Sequence, residues 1–169
     1  MTNFPKRLDA AKHLNAFYNP NRNLLNNNRL AHSIGVANFL YTYGLTHNYS
    51  AKDTQNLYLL GLLHDIGYLD NPSGANHAAK GSDILRRNGF HQKFTNCIRF
   101  HGKVPEKQPI SKNQKLLWLG DLCINHRGDF VGYHTRFQSI SLRYKSDDRR
   151  YQNVKRIIDI LEKEFPEYK

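Results

Sequence analysis

Apolar residues recur along this chain at intervals of three and four, and short polar stretches containing glycine or proline interrupt the recurrence. That period marks helices with one buried stripe. Leu8, Ala11, Leu14 and Phe17 or Tyr18 predict a first helix over 6–18, broken by Asn19-Pro20-Asn21. Leu30, Ile34, Ala37, Leu40 and Tyr41 predict the inward stripe of a second helix over about 22–46, which fades near Gly44. Ser50 or Asp53 can cap a third, over about 52–66, with Leu57, Leu60, Gly61 and His64 on one face. Asn76 can cap a fourth at about 77–88, and Phe94, Cys97, Ile98 and His101 define a fifth at about 91–101. Leu116, Leu117, Leu119, Gly120 and Cys123 mark a sixth from Lys112 to about Asn125. Helices at about 134–144 and 148–164 follow, the last with Ile157, Ile158, Leu161 and Phe165 turned inward. There is no convincing β alternation, no internal repeat and no linker. The expectation is one all-α domain over 1–169, a bundle of seven or eight helices with a substantial core.

Charge narrows the partners. Lys and Arg number 25 against 14 Asp and Glu, a formal charge of +11. That balance favours small anionic partners such as nucleotides and phosphorylated metabolites. The basic residues are scattered; the densest group, Arg149-Arg150 with Lys155-Arg156, spreads over a wide arc of its helix, which argues for a solvated face over a nucleic-acid stripe. No run approaches the ~20 apolar residues of a membrane span, and the first residues lack the apolar stretch of a secretory leader. A cytoplasmic protein is expected, with Cys97 and Cys123 as buried reduced thiols.

The chemistry centres on Leu62-Leu63-His64-Asp65-Ile66-Gly67. His64 and Asp65 end an apolar run and together offer imidazole nitrogen and carboxylate oxygen. His32 lies upstream; His77, His101 and Asp121 follow, each in or beside a helical stretch. A third helix ending at Gly67 would put His64 and Asp65 in its last turn, about 100° apart around the axis. Asp121 interrupts an apolar run, and a buried carboxylate needs a cation or hydrogen-bond donors. Packed helices can bring His32, His64, Asp65 and Asp121 to one point. Mixed nitrogen and oxygen donors suit Mn, Fe, Co, Ni or Zn better than Ca or Mg. His77 and His101 can hold a second ion, with Asp65 bridging. Such a site can activate a hydroxide as nucleophile and neutralise a phosphate. Asp65 and His64 are the catalytic candidates. Arg29, one turn before His32, and Lys80, Lys103 and Arg127 are candidate substrate contacts. The glycine-containing loop from His126 to His134 can cover a cleft and bring those histidines near.

The motifs Arg-x-x-His at 29–32, His-Asp-Ile-Gly at 64–67, His-x-x-x-Gly at 77–81, Phe-His-Gly at 100–102 and Gly-Asp at 120–121 together resemble the HD-domain superfamily of metal-dependent phosphohydrolases. The likeness covers roughly 25–125, with the C-terminal helices at about 134–165 as a remainder. It implies that His32, His64, Asp65 and Asp121 bind a core metal. The six-ligand subset, which includes bacterial symmetrical diadenosine tetraphosphate hydrolases, adds two histidines, here His77 and His101. The alarmone hydrolases resemble His-Asp-x-x-Glu-Asp, whereas Tyr68 and Leu69 stand here. The cyclic-dinucleotide phosphodiesterases have Lys after His-Asp-Ile-Gly and a paired His-His, whereas this chain has Tyr68 and a single His101 before Gly102. The loop after Asp121 reads Leu-Cys-Ile-Asn-His-Arg-Gly, unlike the Asp-Tyr-Ile-Glu-Pro of the diadenosine tetraphosphate group. The resemblance implies hydrolysis of a nucleotide phosphoester or phosphoanhydride with one or two divalent ions. A di-iron oxygenase with the same ligand order and a non-catalytic nucleotide-sensing module are the alternatives. A second copy of the chain is a candidate partner.

Overall fold

The computed structural model describes residues 27–69 and 73–169. The first helix expected over 6–18, the break after it and the start of the second lie outside these residues. Seven α-helices are described: α1 (Asn27–Thr46), α2 (Ala51–Leu63), α3 (His77–Arg87), α4 (Gln92–Arg99), α5 (Lys112–Cys123), α6 (Tyr133–Ser141) and α7 (Arg149–Glu164). Two 3₁₀ turns complete the path, Ile66–Leu69 after α2 and Pro166–Tyr168 at the end. Among the described residues there is no strand, only an isolated bridge between Ile124 and Phe130. The fold is all-α.

α5 is the central element. Leu116, Leu117, Trp118 and Leu119 are four successive residues with no exposed surface, so the middle turn of this helix is covered on every side, while Lys112 and Asn113 at its start are exposed. A turn that is apolar all round has no solvent face to offer and takes the middle of a bundle. Its neighbours α1 and α2 cross closely, and small residues set the distance. A Cβ at Gly61 would lie 2.8 Å from Ala37 Cα, and one at Gly120 only 3.2 Å from Leu40 and Val36. α7 is one-sided, with Ile157, Ile158 and Leu161 buried and Lys155, Arg156 and Asp159 outward. Side-chain caps start several helices. Ser50 accepts from the Asp53 amide, Ser111 from Gln114 and Asp148 from Arg150.

Four expectations need correction. Ile34 and Tyr41 are each 40% exposed, and the inward face of α1 is instead His32, Ser33, Val36, Ala37, Leu40 and Tyr43. Ala37 and Leu40 are inward as expected, and the close crossing of Ala37 with Gly61 of α2 rotates the rest of the buried face away from Ile34 and Tyr41. α2 stops at Leu63, so His64 is its C-cap and Asp65 lies in the turn beyond. α4 likewise stops at Arg99, two residues before His101. Asn76 precedes α3 in the left-handed region, φ 59°, and its side chain makes no cap hydrogen bond. Its role there is to supply a conformation that Asn adopts more readily than most residues.

Candidate metal centre

Four histidines and two aspartates reach one point from five parts of the chain. His32 comes from α1, His64 and Asp65 from the turn after α2, His77 from the first position of α3, His101 from the turn after α4, and Asp121 from α5. One device holds all four rings. Nδ1 of His32 lies 3.1 Å from the Asn125 carbonyl oxygen, that of His64 2.6 Å from Gly61, that of His77 2.9 Å from Gly74 and that of His101 2.7 Å from Ile98. A carbonyl only accepts, so each Nδ1 donates its proton outward. The Nε2 lone pair of a neutral ring then faces the centre. Carbonyl-anchored rings of this kind are how proteins fix the tautomer of a metal-binding histidine.

The Nε2 atoms meet one another and the carboxylates. His77 Nε2 is 2.9 Å from His101 Nε2, and both are 3.5 Å from Asp65 Oδ1. His32 Nε2 is 3.0 Å from Asp121 Oδ1; His64 Nε2 is 3.7 Å from Asp121 Oδ1 and from Asp65 Oδ2. Ligand atoms of His32, His64 and Asp65 thus form one group, and those of Asp65, His77 and His101 a second, each within 4.8 Å. Asp65 turns one oxygen to each. Metal–nitrogen bonds of about 2.0–2.1 Å separate adjacent donors by about 2.9 Å at right angles and about 3.4 Å in a tetrahedron. The observed separations fall close to that range. His64 Nε2 is buried without any hydrogen-bond partner, a cost that a bound cation removes. The donor set therefore fits divalent transition ions.

Electrostatics point the same way. Burial works to raise the pKa of Asp65, but His64, His101 and His77 around it hold its carboxyl well below the usual range. Burial also opposes the charge on Asp121, and the His32 hydrogen bond with the charges of His64 and His32 outweighs it, so this carboxyl too is lowered. Burial pushes His64 down, and burial with the neighbouring His101 pushes His77 down to about 4. His32 and His101 resist burial and are raised, His32 by Asp121 and His101 by Asp65. Both carboxylates stay ionised and His64 and His77 favour neutrality, as a metal requires, while His32 and His101 favour the proton that a bound ion would displace.

Close backbone packing places these groups. A Cβ at Gly67 would lie 1.8 Å from the His77 carbonyl oxygen, so only glycine lets the turn after Asp65 touch the start of α3. Trp118, fully buried on α5, donates Nε1–H to the Phe100 carbonyl at 2.9 Å and pins the turn that carries His101. The Asn125 side chain accepts from the Arg127 and Asp129 amides, closing the loop whose Asn125 carbonyl holds His32.

A cleft of about 580 Å³ opens over the centre, with Arg29, Tyr68, His126, Arg136, Ser139 and Arg143 in its wall. Arg29 Nη1 donates to Asp65 Oδ2 at 2.9 Å, and its guanidinium lies 3.2 Å over the Tyr68 ring. Tyr68 in turn stacks on His77, centroids 4.3 Å apart. Of the other proposed substrate contacts, Lys103 lines an adjoining hollow, while Lys80 and Arg127 line neither. His126 reaches the cleft; His134 instead meets Glu162 at 2.8 Å. Sequence reasoning missed Arg136, Ser139 and Arg143. They stand at i, i+3 and i+7, a helical face readable in the chain but set aside with the C-terminal remainder. Cys97 and Cys123 are free and buried. Among the described residues no helix is long and apolar enough to cross a membrane.

A family model described as HD domain matches residues 29–163. No curated protein and no solved structure gives a match.

Proposed function

The chain belongs to the HD-domain family, and we propose that it is a cytoplasmic, single-domain phosphohydrolase that cleaves a nucleotide or a related phosphoester or phosphoanhydride. The observation that carries this reading is the convergence of four carbonyl-anchored histidines on a shared Asp65 beneath an arginine-walled cleft. His32, His64, Asp65 and Asp121 would hold one divalent transition ion, and Asp65, His77 and His101 a second. When bound, Fe, Mn, Co, Ni or Zn supplies Lewis acidity and an activated water as nucleophile.

The chain's own groups do the rest. Arg29 holds Asp65 through Oδ2 and presents a cation beside it. Arg136 has a buried Nε–H with no hydrogen-bond partner at the cleft wall, a donor suited to a phosphoryl oxygen. Arg143 adds a second guanidinium, and together they favour the charge that develops in phosphoryl transfer. His126 brings an imidazole to the cleft that can give a proton to a departing oxygen. The Tyr68 ring, braced between Arg29 and His77, offers an edge to a nucleobase.

The test is phosphate or nucleotide release from diadenosine polyphosphates, nucleoside mono-, di- and triphosphates and cyclic nucleotides, with Mn, Fe(II), Co and Ni added in turn. Turnover should require metal and fall to background in Asp65→Ala. Absence of turnover from folded, metal-loaded protein would overturn the reading, and oxygen consumption by the iron-loaded sample would then assign it as an oxygenase.

A further inference from the structure

The cleft does not end above the candidate ligands. It continues past Tyr68 and His77 into a second hollow of about 790 Å³, walled by Arg29, Lys103, Tyr144, Arg150 and Asn153. That hollow shares Phe100, Lys103 and Asn153 with a third, of about 470 Å³, lined also by Lys107, Arg149 and Arg156. The central cleft alone, at about 580 Å³, is already within the range that buries a small ligand. A substrate with a single phosphoryl group has no use for the added length.

The charge of this extension is one-sided. Glu106 is the one acidic side chain among the described residues that line the two outer hollows. Arg149, Asn153 and Arg156 stand at i, i+4 and i+7 of α7, so one helix face supplies a polar row about 10 Å long. Arg149 and Arg150 occupy the first turn of α7, directly behind the N-cap carboxylate of Asp148. Arg150 is oriented by the Tyr144 hydroxyl, which accepts from Nη1 at 3.2 Å.

We infer that this extension is a second anion subsite, in which Lys103, Arg149, Arg150 and Arg156 take a phosphoryl group remote from the one at the metal centre. The substrate is then a molecule with at least two phosphoryl groups. The assignment of a reaction to the centre rests on the phosphohydrolase reading; the subsite itself does not.

Arg149→Ala/Arg156→Ala tests it, since both side chains are exposed. Lys155→Ala is the control, removing a cation that pairs with Asp159 on another face of the same helix. Binding of fluorescein-labelled hexathymidylate to the metal-free protein is followed by anisotropy across a salt series. The double variant should bind about tenfold more weakly, with the log–log salt slope shallower by about 1.4, two phosphate contacts at about 0.7 each. Lys155→Ala should match the parent. In the metal-loaded enzyme, kcat/KM for a nucleoside 3′,5′-bisphosphate relative to the 5′-monophosphate should drop about tenfold in the double variant. An unchanged slope, an equal loss in Lys155→Ala or an unchanged ratio overturns the subsite. If neither nucleotide is hydrolysed, the wider substrate panel judges the phosphohydrolase reading and the binding arm alone judges the subsite.

Discussion

At the residue scale, the site turns on how one carboxylate is shared. Asp65 presents Oδ1 to His77 and His101, and Oδ2 to His64 and Arg29. Removing it therefore damages both donor groups, whereas removing His77 damages one. Asp65→Ala should lose all tight Co(II) binding. The weakening should exceed the ~100-fold that follows from disturbing a residue merely behind a ligand. His77→Ala should retain one ion, held by His32, His64, Asp65 and Asp121. Equilibrium dialysis with elemental analysis measures both, and equal stoichiometry in the two variants would rule out a shared Asp65. The orphaned Nε2 of His64 belongs to the same argument. A buried imidazole with its other nitrogen bound to Gly61 is costly to leave alone.

At the scale of elements, helix ends matter more than helix faces. His64, Asp65 and His101 all lie just past the end of a helix, where the chain turns toward its neighbour. The turn after Asp65 can approach α3 only because Gly67 has no side chain. Gly102 follows His101 in the corresponding motif, yet a Cβ there would meet nothing within 4 Å. Gly67→Ala should thus destabilise by about 2–3 kcal/mol through overpacking, and Gly102→Ala by no more than about 0.5 kcal/mol. Urea unfolding of the metal-free proteins tests the contrast, and similar losses at both positions would refute the packing argument. α5 shows the converse case. Its middle turn is buried all round, and its two functions, Trp118 holding the His101 turn and Asp121 facing His32, lie one turn apart.

At the scale of the whole molecule, the proposed ligands span residues 32 to 121 and come together only when α1 to α5 are packed. An ion bound by them binds the folded chain and not the unfolded one. At a hundred times its dissociation constant it adds about 2.7 kcal/mol, which for a chain of this length raises Tm by about 5–10 °C. Thermal unfolding with Co(II) or Ni(II) should show that rise, EDTA should reverse it, and Asp65→Ala should lack it. A Tm indifferent to metal in the parent protein would argue against the centre.

What the chain by itself determined is the fold class and the candidate donors. The three-and-four spacing is a local property, so the all-α reading and most helix spans followed from it, and histidine and aspartate announce their chemistry by type. Membership of the HD family follows from the same residues taken together. What tertiary packing decided is where those groups point. On α1, Ala37 and Leu40 turned inward as their spacing predicts, but Ile34 and Tyr41 gave way to His32, Ser33, Val36 and Tyr43, because the close crossing at Ala37 and Gly61 sets the rotation of the helix. The ends of α2 and α4 fell short of their histidines, because the turns that begin there are held by neighbours distant in sequence. The rotation of each imidazole was set by a backbone carbonyl, and backbone acceptors carry no residue identity to read. Arg136 and Arg143 became part of the cleft wall only when α6 and the turn after it packed beside the site. A charge on a helix face is solvated or functional according to what packs opposite it, and that is decided in three dimensions.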